Sequence, residues 1–148
     1  MPMPPLLSLP DIASYREYFR TNFCVAPLST FDSLSVSFYP EVFNHAFFRD
    51  SSPRSKDKAV FDHYRAERME WIRHILQDHN VELYRRVMTS STCHGHGSAV
   101  RRLALESAEL YLVVIQIDPN DATCARFITA YLVDSVNALR NIRSNPVW

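Results

Sequence analysis

Residues 110–117, LYLVVIQI, limit how this chain can fold more than any other segment. A half-buried strand alternates apolar and polar side chains, whereas this segment is apolar on both alternations and includes only Gln116 as a clearly polar member. Its length is far short of a membrane span. A strand of this composition must be covered on both faces by other elements. The segment therefore predicts the central strand of a sheet with a packed layer on each side.

Other strands are predicted from alternation and turn residues. In the last strand, Ile128, Ala130 and Leu132 are expected on one face, with Phe127, Thr129 and Tyr131 on the other. Pro40 ends an alternating stretch near the N-terminus, and Pro119 begins a turn after the central strand. The predicted strands beside the central one are residues 31–39, 81–87, 101–105 and 125–133.

Three helices complete the pattern. Asp11 can cap a helix that runs to about Phe23, and Asp134 or Ser135 can cap a closing helix that runs to Ile142. Between them, residues 61–76 are amphipathic at the helical period. The order of helix, strand, helix and then a strand meander predicts an α+β fold. We expect one or two helices packed on a four- to five-stranded antiparallel sheet, with residues 1–30 as an N-terminal arm and helix and residues 31–148 as the main domain.

The helix over residues 61–76 carries two arginines on its apolar stripe. Arg65 and Arg68 fall within the arc expected to face the core, and an unpaired buried charge costs several kcal/mol. Either their stems cover apolar surface while their heads reach water or pair with a carboxylate from the sheet, or the pair forms a phosphate-binding pocket, for which the planar fork of arginine is suited. The apolar members of this arc are Phe61, Tyr64, Met69, Trp71, Ile72, Ile75 and Leu76.

Charge and cysteine content exclude several classes of function. The 16 basic and 16 acidic residues cancel, which argues against non-specific binding to long duplex DNA. Cys24, Cys93 and Cys124 show no paired spacing, so we expect a reducing compartment and no disulfide framework. The N-terminal sequence MPMPPLLSLP has neither the basic start nor the apolar run of a signal peptide. These features predict a cytoplasmic protein.

Few residues point to chemistry. His45 lies between apolar neighbours, where it is either a hydrogen-bonded core residue or a proton-transfer group. Cys93, His94 and His96 match no established zinc spacing, so a flexible hairpin tip is favoured over a metal site, and no cofactor is predicted. Thr129 and Tyr131 share a strand face and are either groove-lining hydroxyls or ordinary strand residues.

Charged strand residues are a second candidate group. Tyr84, Arg85 and Arg86, together with Arg101 and Arg102, either add positive charge to one sheet face or are solvated edge residues. The chain has no P-loop, GxGxxG, HExxH or GxSxG motif. A pocket of histidine, arginine, threonine and tyrosine suits acid–base work on a phosphodiester without a metal.

An ordered set of segments resembles a known family. The stretches FNHAFFR, FDHYRAERMEWIRHIL, VELYRR, YLVVIQI and RFITAYLVDS resemble, in this order, the phage-associated members of the barnase–EndoU–colicin–RelE nuclease group. These are small toxin-type nucleases of phage proteins and bacterial polymorphic toxins. The resemblance covers residues 36–148. It implies helices packed on a four-stranded antiparallel sheet and metal-independent cleavage of RNA, often transfer RNA.

The resemblance also implies roles for single residues. His45 corresponds to the family's histidine and is expected to act as general base on a ribose 2′-hydroxyl. Arg65 and Arg68 are expected to stabilise the phosphorane, and Thr129 or Tyr131 to orient the phosphate or assist the leaving group. Apart from the resemblance, we expect RNA contacts from Trp71, Tyr84, Arg86 and Arg102. An immunity or antitoxin protein is the expected protein partner.

Two other classes of function remain open at this point. One is a catalytically silent RNA- or protein-binding module of the same fold, which would bind RNA without cutting it. The other is a structural or helper protein, which would neither bind nor cleave RNA.

Overall fold

A computed structural model describes residues 3–77, 83–91 and 98–146. The described chain folds as α+β, which confirms the predicted class. Its helices are α1 (Ile12–Asn22), α2 (Val42–Phe47), α3 (His63–Glu67), α4 (Met69–Gln77) and α5 (Val136–Ser144). Its strands are β1 (Leu28–Ser29), β2 (Ser35–Ser37), β3 (Phe48–Arg49), β4 (Val60–Phe61), β5 (Leu83–Ser91), β6 (Ser98–Glu106), β7 (Tyr111–Asp118) and β8 (Asp121–Leu132).

The main sheet has six strands in the order β1-β2-β8-β7-β6-β5. Strands β5 to β8 form the antiparallel meander that the sequence predicts. The prediction of a wholly antiparallel sheet is wrong, because β2, which lies within the predicted strand over residues 31–39, pairs parallel to β8. Strand β1 adds a sixth strand to the predicted four or five. Parallel pairing needs a long crossover connection, and the chain between β2 and β8 supplies one. Strands β3 and β4 form a separate small hairpin.

The central strand is covered on both faces, as predicted. Every residue of β7 from Tyr111 to Ile115 is buried. Tyr111, Val113 and Ile115 belong to the larger core, which is built with helices α1 to α4, whereas Leu112 and Val114 belong to a smaller core beneath α5. The two caps named from the sequence at the outer helices are also confirmed. Asp11 accepts from the Ser14 amide at 2.7 Å, and Ser135 accepts from the Ala138 amide at 3.3 Å.

The larger core is rich in phenylalanine. Phe19 of α1 lies within 6.4 Å, between ring centroids, of Phe23, Phe38, Phe43, Phe47 and Phe127. The N-terminal arm is attached to the same core, since the Trp71 indole donates to the Pro4 carbonyl at 2.7 Å. The Leu7 amide likewise donates to the Glu67 carbonyl at 2.8 Å. The arm and α1 therefore pack as part of the same body as the main sheet.

The predicted faces of the last strand are wrong for Phe127 and Ile128. Val114 pairs with Thr129 and Ile115 pairs with Phe127, so Ile128 is the extra residue of a β-bulge. An extra residue shifts the alternation of side chains between the two faces by one position, so residues before and after the bulge follow opposite patterns. Phe127 consequently joins Ala130 in the larger core, and Ile128 joins the core beneath α5.

The predicted single helix over residues 61–76 is interrupted at Arg68, where φ is −98° and ψ is 18°. The Arg68 amide donates to the Arg65 carbonyl at 3.2 Å, and the Trp71 amide donates to the Arg68 carbonyl at 2.9 Å. Such three-residue turns are tighter than α-helical ones and rotate the first turn relative to the next. Tyr64, expected on the apolar stripe, is therefore 67% exposed. In the described part of the chain, no helix combines the length and apolar character needed to cross a membrane.

Replacement of Phe19 tests whether α1 belongs to the same cooperative unit as the sheet. We expect Phe19→Ala to lower the free energy of unfolding by about 3–5 kcal/mol, because it leaves a cavity among five rings. Urea unfolding followed by tryptophan fluorescence measures the change. The matched control is Val25→Ala, since Val25 is 71% exposed, and its change should stay within about 0.5 kcal/mol. Separate transitions for α1 and the sheet would contradict the prediction.

Candidate functional site

A row of polar side chains crosses four strands of the main sheet. Ser37 of β2 pairs with Arg126 of β8, Arg126 pairs with Gln116 of β7, and Gln116 pairs with Arg101 of β6. Directly paired residues point to the same face of a sheet. We call Ser37, Arg126, Gln116 and Arg101 the polar row. It lies on the face that carries the smaller core, two residues along β7 from Val114.

Helix α2 brings His45 to this row. Phe43, Ala46 and Phe47 are buried and fix α2 against the larger core, which leaves His45 on the exposed side of the helix. His45 lines an open cavity of about 430 Å³ with Tyr39, Glu41, Arg101 and Arg126. The structure therefore places the histidine singled out from the sequence in one cavity with two members of the polar row, Arg101 and Arg126.

The surroundings of His45 lower its pKa. Partial burial is the largest cause, and the positive charges of Lys58, Arg101 and Arg65 act in the same direction, against a smaller opposite effect of Asp50. A histidine with a lowered pKa is mostly neutral at pH 7 and can accept a proton. The charged groups that line its own cavity are Arg101, Arg126 and Glu41. The arrangement is an unprotonated base within a positive field.

The two arginines of this cavity differ from the other candidates in how they are paired. Within the described residues, neither Arg101 nor Arg126 forms an ion pair with a carboxylate; Arg101 donates from Nε to Gln116 Oε1 at 3.3 Å. Guanidinium groups without a carboxylate partner are available to bind a phosphate or another anion.

Arg65 lies outside the lining of the His45 cavity. Its Nε is 3.2 Å from Asp62 Oδ2, its Nη1 donates to the Ala46 carbonyl at 3.3 Å, and its guanidinium carbon lies 5.2 Å from the centroid of the Tyr131 ring. Arg65 and Tyr131 share a second cavity of about 420 Å³ with Arg49 and Asp62. Arg65 thus braces the helix that carries His45, and Tyr131 lies beside Arg65 and not in the His45 cavity.

Two residues that the sequence placed in the site belong to the helical layer. Arg68 pairs with Glu67 at 2.9 Å, donates to the Tyr64 carbonyl, and keeps only 15% of its side chain exposed. Trp71 is 6% exposed, so its ring offers no open surface to an RNA base. For Arg68 the carboxylate-paired alternative is the one the structure shows, because a charge within the helical layer requires a partner there.

Arg102 points away from the polar row. Successive residues of a strand face opposite sides of a sheet, so Arg101 and Arg102 cannot both contribute to one face. Arg102 pairs with Ile115, a member of the larger core, and its Nη1 is 2.8 Å from Asp32 Oδ2. The expectation that Arg102 and Arg101 charge the same face is therefore wrong.

Four predicted site residues remain: Thr129 and Tyr131 have described side chains, whereas Tyr84 and Arg86 do not. Thr129 pairs with Val114 and so lies on the polar-row face, two strand positions from Arg126 once the bulge is counted. Burial raises the pKa of the Tyr131 phenol, which keeps it protonated. Tyr84 and Arg86 pair through their backbones with Leu105 and Leu103, and their side chains lie outside the described residues. Cys93, His94 and His96 also lie outside the described residues.

Sequence reasoning missed three members of the site: Tyr39, Gln116 and Arg126. Gln116 carried a usable signal, since it is the one amide in an otherwise apolar strand. Arg126 and Tyr39 carried none, because the strand register that brings them beside His45 depends on the parallel pairing of β2 with β8. Among the described residues, no group of three or more histidine, cysteine or acidic side chains is placed to hold a metal ion.

Comparisons with known proteins find no family model, no curated protein and no solved structure that matches this chain. The resemblance to the nuclease group therefore stays a prediction.

Titration of His45 tests the electrostatics of this site. We expect its pKa, followed by NMR of the imidazole protons, to lie below 6.5, because burial and three nearby cations disfavour the charged ring. Arg101→Gln should raise that pKa by removing one of these cations. Arg140→Gln is the matched control, since Arg140 is exposed on α5 and contributes nothing to the shift. A His45 pKa at or above 6.5 would contradict the description of the site.

Proposed function

We propose that this protein is a metal-independent endoribonuclease of the toxin type, with His45 as general base. The observation that supports the proposal best is the placement of an exposed histidine in one cavity with two arginines that lack carboxylate partners in the described chain. A base beside anion-binding groups is what cleavage of a phosphodiester by an internal hydroxyl requires.

The proposed reaction needs no co-reactant. Neutral His45 takes the proton of a ribose 2′-hydroxyl, and the 2′-oxygen forms a bond to the adjacent phosphorus. The bond between phosphorus and the 5′-oxygen then breaks, this oxygen takes a proton from water, and the resulting hydroxide takes the proton held by His45, which restores the neutral ring. One product ends in a 2′,3′-cyclic phosphate and the other in a free 5′-hydroxyl. Base catalysis of this kind contributes about 10²–10⁴-fold to the rate.

The arginines supply the second contribution. Arg101 and Arg126 would bind the phosphate oxygens and stabilise the charge that develops on the phosphorane, and each such donor contributes about 10²–10³-fold. Thr129, on the same sheet face, would orient the phosphate. In this scheme Arg65 acts through the position of α2 and through its charge, and Tyr131 packs against Arg65.

Local charge reconciles this function with a neutral chain. The His45 cavity is lined by two arginines, Arg101 and Arg126, and one carboxylate, Glu41, so its charge is positive, whereas the two arginines of the Arg65 cavity are matched by Asp62 and Asp134. A positive region of this kind raises the local concentration of RNA without a basic surplus over the whole chain. It also suits an immunity or antitoxin protein that covers the cavity with carboxylates.

Cleavage in the presence of EDTA tests the proposal directly. We expect the wild-type protein to cut total transfer RNA in excess EDTA and to leave cyclic phosphate at the new 3′ ends. His45→Ala should lower the cleavage rate by about 10²–10⁴-fold, because the base is lost. Denaturing gels and analysis of the 3′ ends provide the measurements. If the wild-type protein cuts neither transfer nor ribosomal RNA, the proposed activity is wrong, and RNA binding without cleavage would favour the binding module.

A second pair of variants separates the roles of the arginines. Arg126→Gln should lower the cleavage rate by about 10²–10³-fold with little effect on stability, because Arg126 is exposed and has no ion-pair partner in the described chain. Arg140→Gln, also exposed, is the control and should cleave at the wild-type rate. Equal rates for the two variants would exclude Arg126 from the site.

A further inference from the structure

A third cavity adjoins the His45 cavity. It has a volume of about 490 Å³ and shares Tyr39 and Arg126 with the first. Its other polar lining includes Ser37, Gln116, Asp118 and Asn120. Because Ser37, Arg126 and Gln116 belong to the polar row, the two cavities form one groove across β2, β8 and β7.

Tyr39 stands at the boundary between the two cavities. It is 51% exposed, although large aromatic side chains are usually much more buried. The backbone around it is well fixed: Phe38 is buried and stacks on Phe127 at 5.0 Å between ring centroids. The Tyr39 carbonyl accepts from the Val42 amide at 3.0 Å, at the start of α2. An exposed ring on a fixed backbone loses little entropy when a flat ligand stacks on it.

The two ends of the groove differ in chemistry. Arg126 lines both cavities, but Arg101 lines only the one at His45, where two guanidinium groups without a carboxylate partner in the described chain suit a phosphate. The end beyond Tyr39 has the amides of Gln116 and Asn120 together with the Asp118 carboxylate. A carboxylate disfavours a second phosphate there, whereas amides and a carboxylate can pair with the donors and acceptors on the edge of a base.

We propose that this groove binds a single-stranded segment of RNA. The base beside the scissile phosphate stacks on Tyr39, and the edge of that base enters the third cavity, lined by Gln116 and Asn120. The proposal rests on the endoribonuclease function and names the conformation of its substrate. A base in a duplex is stacked on its neighbours and cannot enter such a groove, so the RNA must be unpaired at this position. Tyr39 is then a substrate-positioning residue next to the proposed catalytic His45.

Binding of an uncleavable oligonucleotide tests this inference apart from catalysis. The probe is a fluorescein-labelled 2′-O-methyl RNA of mixed sequence, which has no 2′-hydroxyl to attack, measured by anisotropy as a single strand and as a duplex. We expect Tyr39→Ala to weaken single-strand binding by about 5-fold to 100-fold, the loss of one stacked base, and Tyr39→Phe to retain it. Tyr64→Ala is the matched control, because Tyr64 is 67% exposed and lines the cavity of Arg65 and Tyr131, which is not part of the groove.

The outcomes separate the two proposals. Tyr39-dependent binding of the single strand without any cleavage of natural RNA would support the stacking inference and overturn the proposed activity. Cleavage of natural RNA with unchanged binding by Tyr39→Ala would overturn the stacking inference and leave the activity. Equal affinity of the wild-type protein for the single strand and the duplex would also overturn the stacking inference. Thermal unfolding of both tyrosine variants should match the wild-type protein, since both side chains are exposed.

Discussion

The packing of α2 against β8 is the interaction on which the proposed site depends. Phe43, Ala46 and Phe47 are wholly buried, and Phe47 stacks on Phe127 with 6.5 Å between ring centroids. In the described chain β2 pairs with β8 only from Cys124 to Arg126, so α2 can pack beside the rest of this strand. Apolar burial on one side of a six-residue helix thereby determines where its opposite side, with His45, meets the sheet. A short helix without this burial would not be stable.

Pairing divides the arginines of this protein into two kinds. Arg65, Arg68 and Arg102 each have a carboxylate within 3.2 Å and are accounted for by the structure they stabilise. Arg101 and Arg126 have none in the described chain, although each stands in a strand of the main sheet. Strand register places both on one sheet face with the neutral Gln116 between them. An anion bound by both guanidinium groups would offset their like charge, and the neighbouring neutral histidine adds no further positive charge.

The fold was largely predictable because its strongest signals are local. Residues 110–117 required layers on both sides of the sheet, and Asp11 and Ser135 marked helix starts by a side-chain cap that involves only neighbouring residues. The interruption at Arg68 and the bulge at Ile128 were not predictable in this way. Each depends on how a segment fits the rest of the core, since the period of the sequence itself continues through both positions.

The site was less predictable because it also depends on contacts between segments that are distant in sequence. His45 attracted notice as a titratable residue among apolar ones, but its partners come from β6, β8 and the segment after β2, which lie up to 87 positions apart in sequence. Arg65 and Arg68 were conspicuous because they interrupt an apolar stripe, and such an interruption signals a charge that needs a partner more often than a binding site. An arginine on a solvent-facing strand position, such as Arg101 or Arg126, does not interrupt an apolar pattern and gives no such signal in the sequence. Its significance arises only when register places a second arginine and a base beside it, so tertiary geometry is what distinguishes Arg101 and Arg126 from the other arginines of the chain.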